Sequence, residues 1–206
     1  MIDNTVPNFS VNMVKHDMNT YPRYELPEGF VITGYRDGYE NAWAEIAKEQ
    51  FLFESLEKGL QLFRSEFSST DRWASMKDSC LFAVEEATGT VAAVLTLWEG
   101  GIFAEDYRRI HWVATREAYQ GKGIIKAMLT YAMDLYHSQR SEGPCILATG
   151  SPNWQAIRLY KRFGFEPYLG GSPAPYADFD LEKEKEKWAL IDGKIAEFDK
   201  QKQAQL

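Results

Sequence analysis

Apolar and polar positions change their spacing along this chain in a regular order. Residues 30–35 form a short apolar run closed by Asp37-Gly38, which predicts a strand ending in a turn. From Tyr39 to about Gln50 the spacing is helical. A second helical stretch over 51–67 is interrupted by Gly59. Cys80-Leu81-Phe82-Ala83-Val84 and residues 90–98 read as two strands joined through Ala87-Thr88-Gly89 as a hairpin. Residues 109–115 make a fourth strand, and Ile125, Met128, Leu129, Ala132 and Tyr136 then fall on one stripe of a helix. Residues 144–149 read as a short buried strand. Ser151-Pro152 opens the next helix with a hydroxyl at the N-cap and proline at the first helical position, and Gly164 closes it. Residues 165–169 resume as strand and break at Gly170-Gly171-Ser172-Pro173. Strands alternating with helices predict an α/β fold, and the early hairpin makes its sheet mixed.

The two ends carry weaker patterns. Residues 1–28 read as a mixed polar N-terminal arm ending in a turn, 29–180 as the folded domain, and 181–206 as a charged, helix-prone tail. In the tail, Trp188, Ile191, Ile195 and Phe198 recur at spacings of three, four and three, forming one narrow apolar seam. Packing on the chain's own domain is the simpler use of that seam. A docking helix for a partner, or for a second copy in a homodimer, is the sharper one.

Charge and cysteine usage narrow the function. The 206 residues carry a formal net charge of −7, which argues against a nucleic-acid surface. Cys80 and Cys145 each begin an apolar run and read as buried structural thiols, with neither a disulfide nor a metal site expected. Nothing at the start reads as a signal peptide and no run approaches membrane-spanning length, so the expected address is the cytoplasm.

The densest chemical signal is the junction after residues 109–115. Gly121 and Gly123 bracket Lys122 just before the Ile125–Tyr136 stripe, so a strand runs through a glycine turn into a helix. That order aims free backbone N–H groups and the positive end of a helix dipole at one spot, which suits a phosphate. A Walker P-loop is excluded because Lys122 is followed by Gly123 and not by a hydroxyl. A dinucleotide fingerprint is excluded because the third glycine is missing. Gln120-Gly121-Lys122-Gly123-Ile124-Ile125 resembles the Q/R-x-x-G-x-G/A signature of the GNAT N-acetyltransferase superfamily, whose members bind the pyrophosphate of acetyl-CoA there. Asn153 through Phe165 resembles the second hallmark of that family, N-x-x-A-x-x-L-Y-x-x-x-G-F. Ile125 stands where the family usually has Gly or Ala, so its branched side chain has to point away from the phosphates.

The resemblance implies a mostly antiparallel central sheet flanked by helices, with residues from Trp112 through Tyr119 matching the family's fourth strand and its bulge, and the fourth and fifth strands splayed to admit acyl-CoA. Matched residue by residue, backbone groups of Val113, Ala114 and Thr115 would pair with the pantetheine arm. Gln120, Gly121, Lys122, Gly123, Ile124 and Ile125 would hold the pyrophosphate. Asn153 would contact the cofactor or help to cap its helix, and Tyr160 would protonate the departing thiolate. For the general base the sequence offers His111, which by strand alternation shares a face with Val113 and Thr115. Glu99 is a weaker alternative, and a water chain is another. Acceptor-lining candidates are the aromatics Trp43, Phe51, Phe53, Phe63, Phe67, Trp73 and Tyr107. The implied activity is acetyl-CoA-dependent transfer of an acyl group to a primary amine of a small molecule or peptide, without a metal. A second reading stays open: a catalytically weakened member serving as a CoA-binding sensor or assembly module, motivated by Ile125 and the tail helix. The joint presence of Tyr160, Asn153 and Gln120 argues against it.

Overall fold

Val11, Met13 and Val14 form a buried strand, β1 (Ser10–Lys15), inside the segment that its polarity assigns to an arm. The computed structural model describes residues 3–51, 54–67, 77–99, 103, 107–139 and 141–204, with the side chains of residues 51 and 99 left aside. The chain divides into two compact units. One comprises residues 23–98 and 109–141, the other residues 1–22, 99–108 and 142–206.

The first unit holds β2 (Phe30–Thr33), α1 (Tyr39–Phe51), α2 (Leu56–Phe67), β3 (Cys80–Glu85), β4 (Val91–Glu99), β5 (Arg108–Thr115) and α3 (Ile124–Ser138). Its strands lie in the order β2-β3-β4-β5, the predicted fourth strand being β5. β2 and β3 pair antiparallel with Phe30 opposite Glu85, and β3 and β4 pair antiparallel with Cys80 opposite Thr96. The predicted hairpin is therefore present. Trp43, Phe63, Phe67, Phe82 and Trp98 form the core between the strands and α1/α2, with Trp112 packed against them. Helix α2 runs through Gly59, contrary to the expected interruption. A Cβ at that position would lie 3.0 Å from both the Cβ and the carbonyl oxygen of Ala44, so glycine here lets the two helices meet closely.

The second unit contains β1, β6 (Cys145–Gly150), α4 (Trp154–Arg162), β7 (Glu166–Pro167) and α5 (Leu181–Gln203). Its strands run β6-β1-β7, with Ser10 opposite Gly150 and Met13 opposite Pro167, both pairs antiparallel. Having neighbours on both edges explains why Val11, Met13, Val14 and even Lys15 are buried. The ammonium of Lys15 donates to the carbonyl of Thr20 at 2.7 Å. Ser151 is not a helix N-cap. It opens a short 3-10 turn, and its buried hydroxyl donates to the carbonyl of Pro7 (2.5 Å) and accepts from the N–H of Phe9 (3.0 Å), fastening the N-terminal segment.

The tail seam is spent inside this unit. Trp188 and Ile191 are buried, and Phe198 meets Trp154 edge-on at 5.1 Å. Arg158 pairs with Asp199 and Lys161 with Asp192. Asp3 accepts from the indole N–H of Trp154 at 2.9 Å and lies 3.3 Å from Lys194. Asp180 caps α5 by accepting from the N–H groups of Glu182 and Lys183.

Two consequences are testable. Gly164 sits at φ +82°, and a Cβ there would lie 2.8 Å from Lys15 Nζ. Gly164→Ala should cost about 1–2 kcal/mol from the left-handed backbone alone, with the displaced ammonium adding to it. Urea unfolding checks this, and an unchanged midpoint would contradict it. The second consequence concerns acid. The hydrogen bond from Arg158 holds the carboxyl of Asp199 below its ordinary range, and the N–H of Lys183 does the same for Asp180. A carboxyl whose folded value is depressed stabilises above its unfolded value of about 3.9, and that contribution is lost as pH falls through the folded value. The grip of α5 on α4 should therefore weaken below about pH 4. Fluorescence of Trp154 and Trp188 reports it, and a signal that stays flat from neutral pH to pH 2 would count against it.

Candidate active site

Strand β5 departs from extended backbone at one residue. Trp112 has φ +51°, a left-handed conformation that costs a non-glycine residue roughly 1–2 kcal/mol. The indole repays part of this by packing edge-on against Trp43, ring centres 4.9 Å apart. Beside it, His111 lies against Trp98 (5.5 Å) and Trp112 (4.6 Å), with its Nε2 3.9 Å from Glu66 Oε2 on α2. Ala114 points into the core, while Val113 and Thr115 are half-buried.

Beyond β5 the chain is pinned before it reaches the glycines. Arg116 donates from Nε to the carbonyl of Val91 at 2.8 Å, pairs with Glu49 at 3.1 Å, and also pairs with Glu45. Its N–H donates to the carbonyl of Ala92 at 2.9 Å. Tyr119 donates its hydroxyl to Glu85 at 2.9 Å, and the hydrogen bonds from Thr88 and then Tyr119 hold the carboxyl of Glu85 below its ordinary range. The amide of Gln120 donates to Gln50 Oε1 (3.3 Å) and to the carbonyl of Thr115 (3.4 Å), closing the loop onto the end of the strand.

Gly121 and Gly123 then adopt φ +77° and +87°, and nothing stands within 4 Å of a Cβ built on either. They are glycines for backbone reasons and not for space. Gly123 is the N-cap of α3. No side chain caps the helix and no acidic residue stands in its first turn, leaving the positive end of the helix open. Lys122 lies over the ring of Tyr119 at 4.7 Å, and Lys126 belongs to the first turn of α3. Ile124 is buried and Ile125 half-buried.

In the other unit, α4 carries Asn153 at its N-cap and Tyr160 near its end. The side chain of Asn153 makes no cap bond; its Nδ2 donates to Thr149 Oγ1 at 3.4 Å. Tyr160 is only 6% exposed, and among the described residues its hydroxyl has no hydrogen-bond partner. Burial alone pushes that hydroxyl well above the ordinary tyrosine value.

The profile of the Acetyltransferase (GNAT) family matches residues 40–165, more than half of the chain. The chain belongs to the GNAT acetyltransferase family. Among curated proteins, none matches it by sequence. Solved structures carry the likeness at the level of fold. A GCN5-related N-acetyltransferase from Sphaerobacter thermophilus is 23% identical with a TM-score of 0.59, over 78% of this chain and 48% of that one. A GNAT-family acetyltransferase from Colwellia psychrerythraea is 14% identical with a TM-score of 0.57, over 79% and 55%. Glucosamine-6-phosphate N-acetyltransferase from Arabidopsis thaliana is 19% identical with a TM-score of 0.50, over 74% and 100%. This GNAT chain thus spans about half the length of the first of these.

Several acceptor-lining candidates of this GNAT chain turn out to be core. Trp43, Phe63 and Phe67 are buried in the first unit. Tyr107 is buried in the second beside Phe103, from whose N–H its hydroxyl accepts a bond at 2.9 Å. Phe53 and Trp73, with the side chains of Phe51 and Glu99, lie outside the described residues. Two residues escaped sequence reading. Arg116 reads as an ordinary loop cation, and nothing in the spacing of Glu66 ties it to His111. Among the described residues no cluster could hold a metal ion, and no helix is long and apolar enough to cross a membrane.

Proposed function

We propose that this chain transfers the acyl group of acetyl-CoA to a primary amine by direct attack of the amine on the thioester. The observation that carries the reading is the buried Tyr160 side chain, whose hydroxyl makes no hydrogen bond among the described residues, at the tyrosine position of the second GNAT hallmark. A hydroxyl that bonds nothing in its own fold is free to serve a group that arrives later.

Each part of the reaction then has an assigned residue. Backbone N–H groups of the 121–125 loop and the open end of α3 hold the pyrophosphate. Lys122 and Lys126 supply local positive charge on an otherwise acidic protein. Backbone groups of Val113, Ala114 and Thr115 pair with the pantetheine arm, and one of these N–H groups faces the thioester oxygen. Asn153 contacts the cofactor. His111 takes a proton from the amine; the C–N bond forms, the C–S bond breaks, and the sulfur ends as a thiol. The raised value at Tyr160 keeps its proton in place at every ordinary pH. With thiols near 8.5, full transfer is uphill at the outset, so the hydroxyl first donates a hydrogen bond to the sulfur as charge develops there.

The experiment is thiol release from acetyl-CoA by the purified chain, with and without a panel of primary amines. Release that depends on the amine, with the N-acetyl product found by mass spectrometry, is the expected result. Tight acetyl-CoA binding with no amine-dependent release would favour the sensor or assembly reading instead.

A further inference from the structure

The glycine loop ahead of α3 has little packing of its own, since nothing stands within 4 Å of a Cβ built on Gly121 or Gly123. Its N–H groups are therefore aimed by what grips the chain just before it. That grip centres on Arg116, four residues ahead of Gln120 and outside the hallmark that begins there. All three guanidinium nitrogens are committed. Nε donates to the carbonyl of Val91 at 2.8 Å, one terminal nitrogen pairs with Glu49 at 3.1 Å, and the other pairs with Glu45. The side chain is only 19% exposed, which sets these pairs apart from fully solvated surface bridges. The backbone of Arg116 is held as well. Its N–H donates to the carbonyl of Ala92 at 2.9 Å, and its carbonyl accepts from the N–H of Tyr119 at 2.9 Å, joining β4 to the 3-10 turn over Glu117–Tyr119. Helix α1 grips the same turn at both ends. Glu49 also accepts from the N–H of Glu117 at 3.3 Å, and Gln50 accepts from the amide of Gln120 at 3.3 Å.

We propose that Arg116 is a positioning residue for the cofactor: clamped between α1 and β4, it presets the loop from Gly121 to Ile125 for a pyrophosphate and makes α1 the brace of that end of the site. The proposal rests on the reading that this loop holds acetyl-CoA. With every nitrogen engaged inside the fold, the guanidinium acts through the backbone it fixes rather than as a phosphate ligand. A loop already in its bound conformation binds without the cost of ordering. Arginine suits the task because its planar fork serves two carboxylates and a carbonyl at once, which a lysine ammonium cannot do in the same geometry. The charges give the proposal a sign. Glu45 and Glu49 bring two negative charges to one positive beside a site for an anion, so by charge alone they oppose the cofactor. By position they favour it, because they hold Arg116 and Glu117 in place.

The test uses those opposite signs. Acetyl-CoA is titrated calorimetrically into the full chain and its variants. Arg116→Gln should weaken binding about tenfold or more, and Arg116→Lys, which keeps the charge without the fork, should recover only part of that loss. The double variant Glu45→Ala, Glu49→Ala should also weaken binding, although it takes two negative charges away from an anion site. Both glutamates are exposed, so this variant keeps the fold even if Arg116→Gln does not, and thermal melts without ligand check each protein. In turnover, Arg116→Gln should raise KM for acetyl-CoA while kcat at saturating acetyl-CoA stays within about threefold; a merely structural defect would lower kcat with the folded fraction. Unchanged affinity in Arg116→Gln, full recovery in Arg116→Lys, or equal or tighter binding in the double variant would overturn the proposal. A parent chain that binds no acetyl-CoA would refute the cofactor reading and this proposal with it. A parent that binds, with variants that bind as well, would refute this proposal alone.

Discussion

Tyr160→Phe should lower kcat about 100-fold while leaving acetyl-CoA affinity within about twofold, the range general acid catalysis commonly supplies. The substitution removes one oxygen and keeps the ring that meets Phe165 at 6.2 Å. Because the hydroxyl has no partner among the described residues, its removal leaves no donor or acceptor stranded. The variant should therefore melt at the same temperature as the parent or slightly higher. That pairing is diagnostic: a core tyrosine bonded to backbone would lose stability and keep its rate, whereas a tyrosine reserved for the sulfur keeps stability and loses rate. Stopped-flow or steady-state thiol release beside a thermal melt decides between them. Full retention of kcat would remove Tyr160 from the chemistry.

Trp43→Ala is expected to have the largest effect on stability. Trp43 is fully buried on α1 and meets Phe63 at 5.4 Å, Phe67 at 6.3 Å and Trp112 at 4.9 Å. Truncating a core tryptophan costs about 3–5 kcal/mol in lost burial and residual cavity. Here the loss also withdraws the main contact that offsets the left-handed backbone of Trp112. The kink at Trp112 should relax toward regular strand as that contact is lost. Urea unfolding measures the loss of stability. A loss under about 1 kcal/mol would mean the cluster repacks around the gap and does not hold the kink.

What could be read from the sequence follows the physics of each element. The α3 stripe and the β3–β4 hairpin were legible because one face of each is apolar at a fixed period. The glycine loop was legible because Gly121 and Gly123 really do require positive φ. Strand β1 was hidden by Lys15, a charged letter at a fully buried position whose ammonium is satisfied by the carbonyl of Thr20. Gly59 misled in the other direction, since its missing Cβ serves a helix contact and not a break. Ser151 has the residue type of a cap, yet it spends its hydroxyl on Pro7 and Phe9, far away in the chain. The kink at Trp112 is not written in its residue type, because tryptophan carries no preference for left-handed backbone; only the resemblance to a family whose fourth strand bulges pointed to an irregularity there. The meeting of His111 with Glu66 is likewise a tertiary fact.

The central claim is that the loop from Gln120 to Ile125 and the open end of α3 hold acetyl-CoA. A thermal melt of the purified chain titrated with acetyl-CoA, with ATP as control, tests it most directly. A ligand that binds only the folded state adds about 2.7 kcal/mol at a hundred times its dissociation constant, which for a chain of this size raises the melting temperature by roughly 5–10 °C. A saturable rise with acetyl-CoA and none with ATP is the predicted result. No rise at millimolar acetyl-CoA, or an equal rise with ATP, would contradict it.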